Sequence, residues 1–246
     1  MITYDGRFRL GCEGVIYILI EPIKITVDLK ATFDDVVNER KFFECKTFYS
    51  KIEGANKAYG SQFIFSETRF LLRENFNISK TKDSFKQSFS PAFQLYLFGA
   101  EHDAVHLCKA AANLGWHVIV VAPPDESKTK NYFEGAHEFI TPTFETLDVS
   151  LIDKQTAVML MTHSFNKDIQ YLLALANTSP AYFGILGPKE RKESLLEKAL
   201  DFNPEISIEF IEQIHGPAGI NIGAESAEEI SVSILAEILT VVRNQK

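Results

Sequence analysis

Gly99-Ala100-Glu101-His102-Asp103 follows a short apolar run at 95–98 and opens a segment with apolar residues at helical spacing. A glycine turn between strand and helix is where dinucleotide folds receive a pyrophosphate, through G-x-G-x-x-G. Here the second glycine position is Glu101, whose carboxylate would bring bulk and negative charge to the phosphates. The acid that would hold a ribose is also missing, because Ala122 ends the next strand and Asp125 comes three residues later. NAD(P) is therefore a weakened candidate for this turn, and a glycine that simply permits a tight strand-to-helix turn is the competing reading. His102 and His106 are four residues apart, which puts them on one helix face as in H-E-x-x-H. Asp103 replaces the glutamate of that motif and no third ligand follows at a convincing spacing, so a zinc hydrolase is disfavoured.

Other groups belong to the same inventory. Thr162-His163 directly follows an apolar strand, and a histidine there can titrate near neutral pH or donate to an anion. Gly187-Pro188-Lys189-Glu190-Arg191-Lys192 sets three cations around a helix start, where free N–H groups attract phosphate. Cys12 sits in Gly11-Cys12-Glu13-Gly14, whose glycines allow close approach to a thiol that could ligate molybdenum or another soft metal. A small packing residue at a strand entry is the alternative for Cys12. Cys45 and Cys108 read as packing residues.

These groups need a scaffold, and the patterning supplies one. Val105, Leu107, Cys108, Ala111, Ala112 and Leu114 form a helical stripe, Gly115 closes the helix, and 118–121 is a β-branched run suited to a buried strand. Further strands are expected at 138–140, 157–161 and 182–186, with helices over 166–176 and 189–200. A last helix opens at Ser226 with Glu229 three residues on, a capping box. Repeated βα units imply an α/β fold: a Rossmann-like parallel sheet with helices on both faces. Its first and fourth strands should flank the topological switch, bringing 99–103, 162–165 and 187–192 to one crevice. Residues 1–90 have a different texture and read as a small, incomplete α+β domain. Strands are expected there at 15–20, 48–52 and 63–65, a helix over 33–43, and a linker at 88–91. The second domain is then 91–246.

The totals bound the function. The chain has 246 residues, 46% of them apolar, enough for a proper core. A net charge of -8 argues against nucleic acid as the main partner. No apolar run approaches a membrane span, the first residues lack the order of a signal peptide, and three scattered cysteines make no disulfide framework. A cytoplasmic protein in a reducing compartment is the expectation.

Several segments together resemble the XdhC/CoxI family, maturation factors of xanthine-dehydrogenase-type molybdoenzymes. They are 97–104, Met161-Thr162-His163, 182–189 with Arg191, and above all 215–225, His-Gly-Pro-Ala-Gly-Ile-Asn-Ile-Gly-Ala-Glu, followed by 228–238. The likeness covers about 92–243, and covers the start only through 11–14. It implies a molybdenum-cofactor-binding chaperone that protects the cofactor during sulfuration and hands it to its enzyme, rather than a catalyst. It further implies a Rossmann-like second domain, a homodimer, and partnership with the molybdoenzyme and a cysteine desulfurase. On that reading Cys12 and Glu13 face the pterin or its metal. Gly99, Glu101, His102, Thr162, His163, Gly187, Lys189 and Arg191 line the crevice. The family's second glycine is replaced by Glu101 and its acid by Ala122, and the chain starts close to the cysteine segment, so a shortened first domain is expected.

Overall fold

A computed structural model describes residues 2–5, 15–51, 59–73 and 83–244. The chain forms two compact units, Met1–Pro91 and Ala92–Lys246.

In the first unit, β1 (Ile2–Asp5) and β2 (Val15–Ile18) pair antiparallel. The helix α1 (Val27–Asn38) is followed by β3 (Phe43–Tyr49), β4 (Gly60–Phe65), β5 (Thr68–Leu71) and β6 (Asp83–Phe89). These last four make an antiparallel sheet in the order β5-β4-β3-β6. Phenylalanine explains how the helix docks. Phe33 of α1 meets Phe43, Phe63 and Phe65 edge to face, at centroid distances of 5.2, 5.1 and 4.9 Å. Such edge-on contacts match the positive ring edge to the negative ring face.

The helix lies earlier than the expected 33–43. Thr26 caps it by accepting from the Leu29 N–H, and Arg40, at φ 52, turns the chain before Phe43 enters a strand. The apolar residues at 42 and 43 thus belong to the connection after the turn and to a strand rather than to the helical stripe. The strand placed at 48–52 is Phe43–Tyr49, and the one placed at 63–65 begins at Gly60. The expected linker at 88–91 is partly strand, since Ser88 and Phe89 pair with Glu44 and Phe43. β6 is an exposed edge strand, and its alternating Ser and Lys residues read as loop in sequence while they discourage edge-to-edge pairing.

The second unit is the Rossmann-like sheet with helices on both faces. Its strands are β7 (Gln94–Phe98), β8 (His117–Val121), β9 (Glu138–Ile140), β10 (Thr156–Leu160), β11 (Tyr182–Ile185) and β12 (Ile214–His215). All pair parallel, in the order β12-β11-β10-β7-β8-β9. This is the 3-2-1-4-5-6 order of dinucleotide folds read from the other edge.

The helices are α2 (His102–Asn113), α3 (Phe165–Leu175), α4 (Lys189–Phe202), α5 (Ile208–Glu212) and α6 (Ala227–Asn244). Strand alternation sorts the core into two layers. Leu95, Leu97, Val118, Val120 and Met159 pack under Leu107 and Cys108 of α2 and Ile234 and Ile238 of α6. Phe98, Val121, Val158, Leu160 and Phe183 pack under Leu172 and Leu175 of α3, Leu195 of α4 and Phe210 of α5. The capping box forms as expected: the Glu229 N–H donates to Ser226 Oγ at 3.2 Å, and Glu229 Oε2 accepts from the Ser226 N–H, also at 3.2 Å.

Candidate functional site

β7 and β10 are neighbours, and the chain reverses its winding between them. The loops after their carboxyl ends, with the loop after β11, therefore converge. Gly99 has φ +130, and a Cβ there would lie 2.8 Å from the Met161 carbonyl oxygen and 3.0 Å from the Thr162 nitrogen. The glycine is required by the neighbouring strand end, whatever approaches from outside. Gly187, at φ +111, is similarly crowded by its own helix, with a Cβ placed 2.7 Å from Arg191 Cδ.

The deepest polar feature joins three of these segments. Asp168, on the first turn of α3, is fully buried. The Thr162 hydroxyl donates to its Oδ1 at 2.6 Å, and the Arg191 guanidinium donates to its Oδ2 at 2.7 Å. Arg191 also donates to the Thr162 carbonyl at 3.2 Å and lies over the Phe165 ring at 5.9 Å. Burial pushes the Asp168 carboxyl up, against the opposing pull of Thr162 and Arg191. One carboxylate thereby ties β10, α3 and α4 together beside the switch. Asp168 was not among the residues singled out from sequence. Its signal was present all the same, since it shares the apolar 168/172/175 stripe of α3, where an unpaired charge is costly.

The rim is charged and open. Glu101 is the N-cap residue of α2 without a side-chain capping bond, and its carboxylate lies 4.0 Å from the exposed His163 imidazole. His102 and His106 meet edge to face, and His106 faces Glu228 of α6 at 3.3 Å. Among the described residues no cluster of three or more His, Cys, Asp or Glu side chains is arranged to hold a metal. Lys189 is exposed and pairs with Glu193 one turn on. At the end of β8, Ala122 is buried, while Asp125 reaches across to Lys167 of α3 at 3.2 Å. That Lys167 contact holds the Asp125 carboxyl below its usual range. Gly99, Glu101, His102, Thr162, His163, Gly187, Lys189 and Arg191 thus belong to the three converging loops and helix starts. Cys12 and Glu13 lie outside the described residues.

A second polar cluster anchors the 215–225 segment. Tyr182 donates to Glu237 Oε2 at 2.6 Å, the Gly219 N–H donates to the same oxygen at 2.8 Å, and His215 approaches Oε1 at 3.3 Å. Tyr182 and His215 stack with centroids 4.6 Å apart. Burial and the adjacent carboxylate push the Tyr182 hydroxyl far up, so it remains a donor. Gly219 leaves no room for a Cβ, which would sit 2.3 Å from Ser233 Oγ. The two remaining cysteines are inert by environment: burial raises Cys45 and pushes Cys108 up to about 11.

The chain is similar to known proteins in sequence and fold. The family model of the XdhC Rossmann domain matches residues 95–238. A probable xanthine dehydrogenase component of Bacillus subtilis (strain 168) is 29% identical over 261 residues, covering 97% of this chain and 75% of that protein. The molybdenum cofactor insertion chaperone PaoD of Escherichia coli (strain K12) is 26% identical over 166 residues, 67% of this chain and 45% of its own length. The crystal structure of a xanthine dehydrogenase from Bacillus halodurans superposes with a TM-score of 0.77 at 28% identity, covering 100% of this chain and 75% of that one.

Proposed function

This chain belongs to the XdhC family, and from that membership we propose that it is a maturation factor for a xanthine-dehydrogenase-type molybdoenzyme. Its cargo is the molybdenum cofactor, which it holds during sulfuration and then delivers. The observation that carries this reading is the retained switch-point crevice with Glu101 in place of the second glycine, in a chain similar to a molybdenum cofactor insertion chaperone. The carboxylate opposes a pyrophosphate but leaves the crevice rim available to a ligand with its phosphate elsewhere.

In that role Lys189 and the N-terminal end of α4 supply positive potential for a terminal phosphate, away from Glu101 at the start of α2. Thr162, Asp168 and Arg191 hold the loops that present them. Glu101 and His163 form the rim, donating and accepting hydrogen bonds, and Cys12 and Glu13 contribute to the pterin or metal end. Gly99 and Gly187 keep the loop geometry. A homodimer and a cysteine desulfurase that supplies sulfur complete the proposed assembly.

The reading is tested in a strain lacking its own factor of this family and carrying the molybdoenzyme. Restoring this chain should restore sulfurated, active enzyme without changing enzyme abundance. Activity that stays at the deletion level, with the chain expressed and folded, would refute it.

A further inference from the structure

We propose that His102 and His106, at the start of α2, form a two-ligand site for a divalent transition-metal ion of the zinc class. The two histidines stand four residues apart, so they project from one helix face one turn apart. Their ring centroids lie 4.6 Å apart and their planes meet at 70°. Two imidazole nitrogens held about 2.0–2.1 Å from one zinc ion in neighbouring positions place their ring centres about 4.5–5 Å apart. The lone pair that binds a metal lies in the ring plane, so two ligands need planes that intersect near the ion. Planes at 70° do so. The His117–His137 pair supplies the contrast. Its rings stack at 4.4 Å with planes 3° apart, and nearly parallel planes share no nearby point at which one ion could accept both lone pairs.

Glu228 of α6 supplies the outer contact that such sites use. Its Oε1 lies 3.3 Å from His106 Nδ1. A carboxylate in that position accepts the Nδ1–H, fixes the tautomer in which Nε2 carries the free lone pair, and makes that nitrogen a better ligand. His102 is exposed and His106 half-buried, so an ion reaches both from solvent. Imidazole suits zinc, copper and nickel, whereas magnesium and calcium take oxygen ligands. Two protein ligands fall short of the four of a structural zinc centre, so the remaining positions belong to water or to a donor atom of an incoming molecule. The ion adds positive charge one residue from Glu101, on a rim where that side chain adds negative charge.

The site does not rest on the maturation reading, and its test uses the full chain without cargo. Zinc chloride is titrated into metal-free protein by calorimetry, and copper(II) serves as the probe for electron paramagnetic resonance. Wild-type protein should bind one zinc ion saturably, and its copper spectrum should show coupling to two imidazole nitrogens. His102→Ala and His106→Ala should each weaken zinc by about tenfold or more and leave coupling to one nitrogen. Glu228→Ala should weaken zinc by about tenfold with both nitrogens retained, the scale of a lost outer contact. His137→Ala, in the parallel stack, should change neither readout. The two single-histidine variants keep the test decisive if one of them unfolds. Absence of saturable zinc binding, wild-type affinity in a folded histidine variant or in Glu228→Ala, or equal weakening by His137→Ala would overturn the proposal.

Discussion

The Arg191 guanidinium meets the Asp168 carboxylate at 2.7 Å where that carboxylate is 1% exposed. The pair joins α3 and α4 and, through Thr162, the end of β10, so the loops around the switch are held by one charge and its partners. Removing one partner of such a buried pair strands the other. Arg191→Met is expected to lower stability by about 3–5 kcal/mol in urea unfolding, and Asp168→Asn by clearly less, since the Arg191 it strands is 24% exposed and reaches water while a stranded Asp168 does not.

The same pair sets a pH dependence. Burial already holds the folded Asp168 carboxyl above its ordinary value, and Arg191 opposes that rise. Without Arg191 the folded-state value rises further above the unfolded one. The folded chain then binds the proton more tightly, so stability is greatest at low pH and is lost as pH rises through the folded value. Arg191→Met should therefore sit closer to wild type at about pH 5 than at about pH 8, in parallel denaturation series. An equal deficit at both would mean that Asp168 is not the stranded charge.

Much of this scaffold was legible in the sequence, because buried parallel strands and amphipathic helices leave long, regular patterns. The parallel unit from β7 to α6 announced itself through Val118–Val121 type runs and the Ser226/Glu229 box, and the switch between first and fourth strands followed from topology. The first unit was harder. Its short antiparallel strands carry Ser, Thr, Lys and Gln on an exposed edge, so β6 resembled loop, and the aromatic pairs that dock α1 join residues far apart in the chain. At the site, the three loops could be placed but their internal bonding could not. Whether Arg191 faced a ligand or a buried acid depended on Asp168, which is distant in sequence and identifiable only as a charge on an apolar stripe.

Gly99→Ala tests what the glycine is for. With φ +130 and a Cβ 2.8 Å from the Met161 oxygen, alanine is strained and crowded. The variant should lose about 1–3 kcal/mol with no ligand present, the scale of backbone strain at such angles. A wild-type melting curve would show that the loop relaxes and that Met161 does not constrain it.

Glu101 makes a prediction about nucleotides. Millimolar NAD(H) or NADP(H) should leave the melting temperature of the wild-type chain unchanged, because a ligand stabilises only as far as it binds the folded state. A saturable upward shift would reinstate an NAD(P)-dependent oxidoreductase.

Cys108 should behave as a buried thiol. With Cys12→Ser and Cys45→Ser in place, it should resist alkylation in the native state at neutral pH, because its side chain is fully buried and burial pushes the thiol up to about 11. Its contribution to stability should be complete below the ordinary thiol range and decline as pH rises from there to about 11, since the unfolded thiol ionises first. Rapid labelling at neutral pH would place it at an accessible surface instead.

The central claim concerns cargo. Molybdenum cofactor released from a molybdoenzyme, mixed with this chain and passed through gel filtration, should elute with the protein, as measured by molybdenum content and by pterin fluorescence after oxidation. Molybdenum and pterin together in the protein peak are the predicted result. Folded protein eluting free of both, at concentrations where a comparable insertion chaperone retains them, would contradict it.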